Sequence, residues 1–358
     1  MSAGILIKGE NLIALDYLLR ERDMAGKVDL VYIDPPFATN GVFSVADDRA
    51  ATISRASGGK VAYADKLTGS DFVEFLRARL LLLRDLLSDR GSIYLHTDYK
   101  IGHYVKVMMD EVFGMDNFRS DISRVKCNPK NFKRIGYGNI KDMILFYTKG
   151  PNPIWNEPYE PYSEEDARRL FPKRDEHGRA YTTVPIHAPG ETQNPQPFRG
   201  MMPPVGRHWR TDVATLEKWD DEGLIEWSAK GNPRKKIFLD SKEGKRCQDI
   251  WTNFKDPQYP VYPTEKNIDF IDLIIRTSSM PGSTVLDCFC GSGTTLEAAA
   301  RTGRSFIGID NSEMAIEATK KRLNKSGIGC PGTGDYEFVD LTRPEMQLQI
   351  WPEGQAKE

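Results

Sequence analysis

The segment VDLVYIDPPF, residues 28–37, constrains the fold more than any other stretch of this chain. The apolar, β-branched run VDLVYI reads as a buried strand. Pro35 and Pro36 lack the N–H that a sheet ladder needs and fix their own φ, so they end the strand and hold Asp34 and Phe37 in a stiff extended turn. An acid in that place is either part of a plain strand stop or a functional group presented at a sheet edge. The rest of the chain decides between them.

The first 150 residues alternate strand-like and helix-like segments. Ile5–Ile7 is a short strand, and Asn11 can cap a helix running to Arg20. After VDLVYI comes a helix capped by Ser70 or Asp71, with apolar residues at 72, 73, 76, 80, 83, 86 and 87; a strand at Ser92–Leu95 and a helix at His103–Phe113 follow. From Thr284 the alternation resumes as STVLD, CFCGSGTT, LEAAARTG, RSFIGID and NSEMAIEATKKRL. This pattern predicts a parallel sheet with covering helices, a Rossmann-like doubly wound α/β fold. Two segments interrupt it. Residues 38–69 read as a long loop without periodicity, placed as a lid beside the strand-ending motif. Residues 151–260 are rich in proline, with tryptophans at 155, 209, 219, 227 and 251 among GRHWR, GNPRKK and KRCQD, and read as an inserted recognition region. The expected boundaries are 1–150, 151–260 for the insertion, 261–330 for the half with the glycine loop, and 331–358 for a C-terminal tail.

A chain of 358 residues with net charge -2 has no global basic field, so a nucleic-acid partner would have to meet a local patch. Residues 121–250 hold 23 Lys and Arg against 19 Asp and Glu, which puts the positive excess in the middle of the chain. Arg207, Arg210, Arg234, Lys235 and Lys236, with Trp209 and Trp227, are the candidate nucleic-acid contacts. The five cysteines are odd in number and show no paired CxxC spacing, so neither a disulfide framework nor a metal site is expected. Cys288 and Cys290 read as small buried fillers beside the glycine loop. No window reaches the roughly 18 apolar residues of a membrane span, and a cytoplasmic protein without a membrane partner is expected.

In CFCGSGTT, Gly291 and Gly293 allow a tight turn and close backbone approach to a ligand, and the helix that follows aims its first N–H groups at it. Asp310 ends the next strand 23 residues after Asp287, where an acid suits a ribose diol. There is no Gly-Lys-Ser/Thr, and threonines replace the third glycine of the dinucleotide fingerprint. S-Adenosylmethionine, which has a ribose but no phosphate, is the better ligand.

These residues resemble the amino-group DNA methyltransferases of the permuted β class, in which the catalytic motif precedes the cofactor motif. IDPPF at 33–37 is similar to their catalytic motif, DCFCGSGTT at 287–295 to their cofactor loop, and YPTEKN at 262–267 to the segment before it. ENLIALDYL, IYLHTDYKIGHYVKVMMDEVFG and IKDMILFY extend the likeness over roughly 5–147 and 260–325. The resemblance implies that Asp34 and the Pro35 carbonyl accept the hydrogens of a target amine, that Pro36 stiffens the turn, and that Phe37 stacks on a base flipped out of double-stranded DNA. It implies a cofactor site of Glu10, Asn11, Asp34, Thr264, Lys266, Asp287, Phe289, Gly291, Gly293, Thr294 and Asp310. Thr264 and Lys266 would lie near the methionine moiety, Glu10 near the adenine and Asp310 on the ribose.

Asp before Pro-Pro favours the N6 amine of adenine over the N4 amine of cytosine, for which the family more often has Ser. A non-catalytic DNA-binding subunit that retains the fold is a further alternative. Lys141 takes the place of a histidine common in the family and receives no role, and His96 reads as a structural histidine at a strand end. No helicase or nuclease motif accompanies these features, so any restriction activity belongs to a separate endonuclease partner; a second copy of the chain is another possible partner.

Overall fold

The computed structural model describes residues 4–36, 42–46, 49–52, 60–64, 70–129, 133, 135–257, 265–328 and 336–343, with the backbone alone between 42 and 70. The chain divides into two compact units, Met1–Pro158 with Gln248–Glu358, and Tyr159–Cys247.

The first unit is built on a nine-stranded sheet. Its strands are β1 (Gly4–Lys8), β2 (Val28–Ile33), β3 (Leu87–Thr97), β4 (Phe118–Val125), β5 (Lys141–Thr148), β6 (Ile250–Trp251), β7 (Thr284–Asp287), β8 (Ser305–Asp310) and β9 (Glu337–Asp340). Their spatial order is β6-β4-β5-β3-β2-β7-β8-β1-β9. The sheet is parallel except for β5, which runs antiparallel to both β3 and β4. The expectation of a parallel sheet therefore holds with one reversed strand. The segment expected as a tail supplies an edge strand, since β9 pairs with β1.

Strand periodicity explains how both faces are covered. Val31, Ile33, Ile93 and Leu95 point to one side, where α1 (Asn11–Arg20), α2 (Ser70–Leu86) and α3 (Gly102–Phe113) bring Leu15, Leu76, Leu80, Leu83 and Val105. Leu30, Tyr32 and Tyr94 point to the other, against Phe270 and Ile274 of α4 (Ile268–Ser278), Leu296 of α5 (Thr294–Arg301) and Ile316 of α6 (Glu313–Lys325). Helices on both faces of a mostly parallel sheet make the doubly wound architecture that the alternation predicts. The α1 cap is Glu10 instead of Asn11, because the Glu10 carboxylate accepts the Ile13 N–H at 3.1 Å.

Residues 38–69 differ from the expected structureless loop. Val42–Ala46, Arg49–Thr52 and Lys60–Ala64 form a small antiparallel sheet, with the central strand paired to both others. The remainder of that segment, and with it the lid reading, lies outside the described residues.

The second unit has a four-stranded antiparallel sheet in the order Lys173–Arg174, Ala180–Pro185, Pro233–Phe238, Ile225–Trp227. Two short ribbons accompany it, His187–Pro189 with Arg207–Trp209, and Tyr159–Glu160 with Lys245–Arg246. Its core is Ile186, Phe198, Trp209, Leu216 and Ile225, with Trp219 packed against them.

Candidate active site

In parallel strands the carboxyl ends share one edge, so β1, β2, β7 and β8 deliver Glu10, Asp34, Asp287 and Asp310 to the same edge. That edge is where open α/β sheets take their ligands.

Asp34 follows β2 directly. Its Oδ2 lies 2.5 Å from the Lys266 ammonium. Its Oδ1 is buried and has no hydrogen-bond partner among the described residues. A buried carboxylate oxygen without a donor is costly unless a ligand supplies one. Lys266, expected beside the methionine end of the cofactor, thus reaches the carboxylate next to the two prolines. Pro35 and Pro36 follow without regular structure, while Phe37 and Thr264 lie outside the described residues.

The glycine loop is built by its neighbours. Gly291 adopts φ +51° and Gly293 φ +78°, both left-handed. A Cβ on Gly293 would come within 2.8 Å of the Thr319 side chain, so that glycine serves close packing of α6 on the loop as well as the turn. Asp310 accepts the Gly291 N–H through Oδ2 and the Ser312 N–H through Oδ1, each at 2.9 Å. Burial raises its pKa against those backbone donors. Asp287 accepts the Thr295 hydroxyl at 2.6 Å and the Phe289 N–H at 3.0 Å. Burial outweighs these donors and pushes its pKa up to about 7. Thr294 opens α5. The Cys288 and Cys290 thiols are buried, which raises both well above the usual thiol range, so they are inert fillers at neutral pH.

Sequence reasoning missed Arg79. It is buried on the apolar face of α2, where it ion-pairs with Glu10 and bonds the Asn11 amide oxygen. It also donates to the Phe75 carbonyl at 2.6 Å, with its guanidinium 3.4 Å from that ring's centroid. Asn11 in turn donates to the Cys288 carbonyl at 3.2 Å, so α2 and α1 are tied to the strand end that carries Asp287. The available signal was an arginine at i+3 and i−4 from apolar positions 76 and 83. Arg322 was missed as well: it bonds the Ser292 carbonyl at 2.7 Å, Glu297 at 2.9 Å and Glu265, and so holds the loop, α5 and the residue before Lys266 together.

The residue set fits S-adenosylmethionine. Asp310 keeps acceptor capacity for a diol, and the left-handed Gly291 and Gly293 let the backbone approach a ligand closely.

The five basic candidates of the second unit separate into two groups. Arg207 lies 3.2 Å from the His187 ring and Arg210 bonds the His187 carbonyl at 3.2 Å. Arg234 donates to the Thr183 hydroxyl and carbonyl at 2.9 and 2.8 Å. Burial first, then the charges of Arg207, Arg210 and Arg234, lowers the His187 pKa, so these three guanidiniums form one cluster. Lys235 instead places its ammonium 3.2 Å from the Trp219 ring centroid, and Lys236 bonds the Gly223 carbonyl at 3.0 Å.

Of the two tryptophans expected at a DNA surface, Trp209 is enclosed and Trp227 is exposed. Trp209 donates to the Gln196 carbonyl, and Trp227 stacks on Phe198. Trp155 and Trp251 belong to the first unit, packed on Phe146 and Phe254 respectively. The charge reading changes too. Residues 159–247 hold 16 basic against 15 acidic residues, whereas 121–158 hold 7 against 3, so the positive excess precedes the inserted unit.

A doubly wound sheet whose Asp-Pro-Pro edge precedes its glycine loop along the chain defines an S-adenosylmethionine-dependent amino-DNA methyltransferase of permuted order. The chain belongs to the DNA methylase family N6_N4_Mtase, which matches residues 28–321. It is similar to type II methyltransferase M.EcaI of Enterobacter cloacae, with 38% identity over 352 residues covering 96% of this chain and 74% of that protein. It is also similar to the probable type III restriction-modification enzyme HindVI Mod subunit of Haemophilus influenzae, with 37% identity over 423 residues covering 94% and 54%. The EcoPI Mod subunit of Escherichia phage P1 is 25% identical over 421 residues, covering 97% and 62%. The chain thus spans 54% and 62% of the length of these two Mod subunits. Among the described residues no helix is long and apolar enough to cross a membrane.

Proposed function

We propose that the protein methylates the N6 amine of adenine at a specific sequence in double-stranded DNA, with the base flipped into the edge beside Asp34. The reading is carried by the buried, unpartnered Oδ1 of Asp34 at the start of a double-proline turn. An exocyclic amine is a poor nucleophile because its lone pair is delocalised into the ring. Asp34 Oδ1 and the Pro35 carbonyl each accept one N–H, which localises that lone pair, and the stiff turn fixes both acceptors in advance. Lys266 orients the carboxylate through its other oxygen. Phe37 stacks on the flipped base. When bound, S-adenosylmethionine would supply an electrophilic methyl group and leave as the neutral thioether S-adenosylhomocysteine, with the displaced amine proton passing to Asp34 or water. Asp310, Asp287, Asn11 and Glu10 would hold the cofactor on the glycine-loop side. A base must leave the stack for its amine to reach this edge.

Sequence recognition is assigned to the 159–247 unit, supported by Arg207 and Arg210 meeting at His187 with Arg234 on the neighbouring Thr183. Restriction, where it accompanies this methylation, is the work of a separate partner.

The test is to methylate a plasmid with purified protein and analyse its nucleosides. N6-Methyladenine is the expected product with the wild type, and Asp34→Ala should lower kcat by at least about 100-fold, the scale of losing a preorganised polar group, while cofactor binding persists. N4-Methylcytosine as the product would overturn the choice of base. Full activity in Asp34→Ala would overturn the role of the carboxylate.

A further inference from the structure

We propose that His96, Asp142 and Tyr32 act together as a tautomer lock that keeps Asp34 Oδ1 open for the substrate amine, with His96 as a positioning residue. This rests on the reading of Asp34 given above.

The register of the sheet creates the arrangement. On β2 and β3, Tyr32 lies opposite Tyr94 and Ile33 opposite Leu95, which brings His96 level with Asp34. On β5, His96 lies opposite Ile144, and Asp142 is two residues away on the same face. The imidazole is fully buried. Its Nε2 is 3.1 Å from Asp142 Oδ2, its Nδ1 is 2.9 Å from the Tyr32 hydroxyl, and that same Nδ1 is 3.9 Å from Asp34 Oδ1.

The proton positions follow from chemistry. Asp142 also takes the Lys126 ammonium at 2.6 Å and has the Arg124 guanidinium at 3.8 Å. Burial pushes Asp142 up, but the His96 hydrogen bond and Lys126 outweigh it and hold this carboxyl well below the usual range. An ionised carboxylate only accepts, so Nε2 carries the hydrogen. Burial lowers the His96 pKa against the pull of Asp34 and Asp142, with Lys266 adding to the lowering; the ring is therefore neutral near pH 7 and Nδ1 is a lone pair. The Tyr32 phenol donates to that lone pair. In the opposite tautomer Nδ1–H would donate to the Tyr32 oxygen 2.9 Å away and set the positive end of that N–H beside Asp34 Oδ1, 3.9 Å from the ring nitrogen, where it weakens the acceptor that the amine needs. Lys266 already occupies Oδ2, so Oδ1 is the oxygen worth protecting.

The experiment uses the full chain labelled with ¹⁵N at histidine. Its five histidines give separable long-range ¹H–¹⁵N patterns, and His96 is assigned by the signal lost in His96→Gln. The Nε2–H form is expected in the wild type. In Asp142→Asn the amide can donate to Nε2, so His96 should move toward Nδ1–H. Its kcat should then fall by about tenfold or more, as wrong-tautomer histidines do in other enzymes, with cofactor affinity unchanged as the check on folding. A wild-type Nδ1–H or doubly protonated ring overturns the lock. So does Asp142→Asn with unchanged kcat, or with a fall in kcat but no change of tautomer. Asp34→Asn separates the two readings. If it is fully active, the Asp34 reading fails; if it is inactive while Asp142→Asn behaves as wild type, only the lock fails.

Discussion

Asp287 shows how much a single buried carboxyl can govern. It is fully enclosed below the glycine loop, and its folded pKa of about 7 lies well above the unfolded value. A raised carboxyl binds its proton more tightly in the folded state, so its contribution is fully present below about pH 4 and is lost as the pH rises through about 7. Cofactor-free protein should therefore lose on the order of 2–4 kcal/mol of unfolding free energy between pH 5 and pH 8, measured by urea titration. Asp310, raised for the same reason, adds to the slope in the same direction. Asp287→Asn should flatten the dependence and stabilise the protein at pH 8; an unchanged slope would show that the carboxyl is ionised throughout. The position of Asp287 was legible from the sequence, because a strand, an acid and a glycine loop in succession have one plausible geometry. Its protonation was not legible, since that depends on burial from every side. The same holds for His96, whose partners Tyr32 and Asp142 sit 64 and 46 residues away along the chain.

At the scale of elements, the site is held by arginines that bridge segments remote in sequence. Arg322 reaches from α6 to Glu265, Ser292 and Glu297. Burial lowers the Arg322 pKa, but its hydrogen bonds to Glu265 and Glu297 win and raise it, so the guanidinium is charged wherever the protein is folded. Arg322→Ala removes the guanidinium that Glu265 and Glu297 share, though Arg301 stays 3.6 Å from Glu297, and should cost about 1–3 kcal/mol, allowing for partial exposure. Cofactor affinity should fall with it, because the loop and the Lys266 segment lose a common anchor. Urea unfolding and calorimetric titration check both, and a loss of stability with unaltered cofactor binding would show that the anchor serves the fold alone. The strands and helices themselves were readable because Val28–Ile33 and Thr284–Asp287 are buried on both faces and the helices keep an apolar stripe. The short edge strand Glu337–Asp340 was not, since four residues carry too little periodicity to stand out from a tail.

For the molecule as a whole, the inserted unit was visible as a break in alternation, but its limits fell inside the expected 151–260. Ile154, Trp155, Trp251 and Phe254 were counted with it because of their proline-rich, aromatic surroundings, yet their side chains complete the first unit. Replacing Arg207, Arg210 and Arg234 together by Ala should weaken binding to all DNA and make the log-log salt slope shallower by up to about 3, at roughly 0.9 per phosphate contact. Exchanging residues 159–247 for those of a relative should change the methylated sequence. An active exchanged protein that still marks the original sequence would place recognition elsewhere, with the basic stretch 121–158 the next candidate. The unit begins and ends in the ribbon of Tyr159–Glu160 against Lys245–Arg246, so the chain departs and comes back about one strand spacing apart, near 5 Å. Heredity can exploit that closeness. If the 159–247 unit reads the sequence, as proposed, two breakpoints in the gene would suffice to exchange the whole reader, and a descendant would acquire a new mark on its genome in one recombination with every residue of the catalytic edge unchanged.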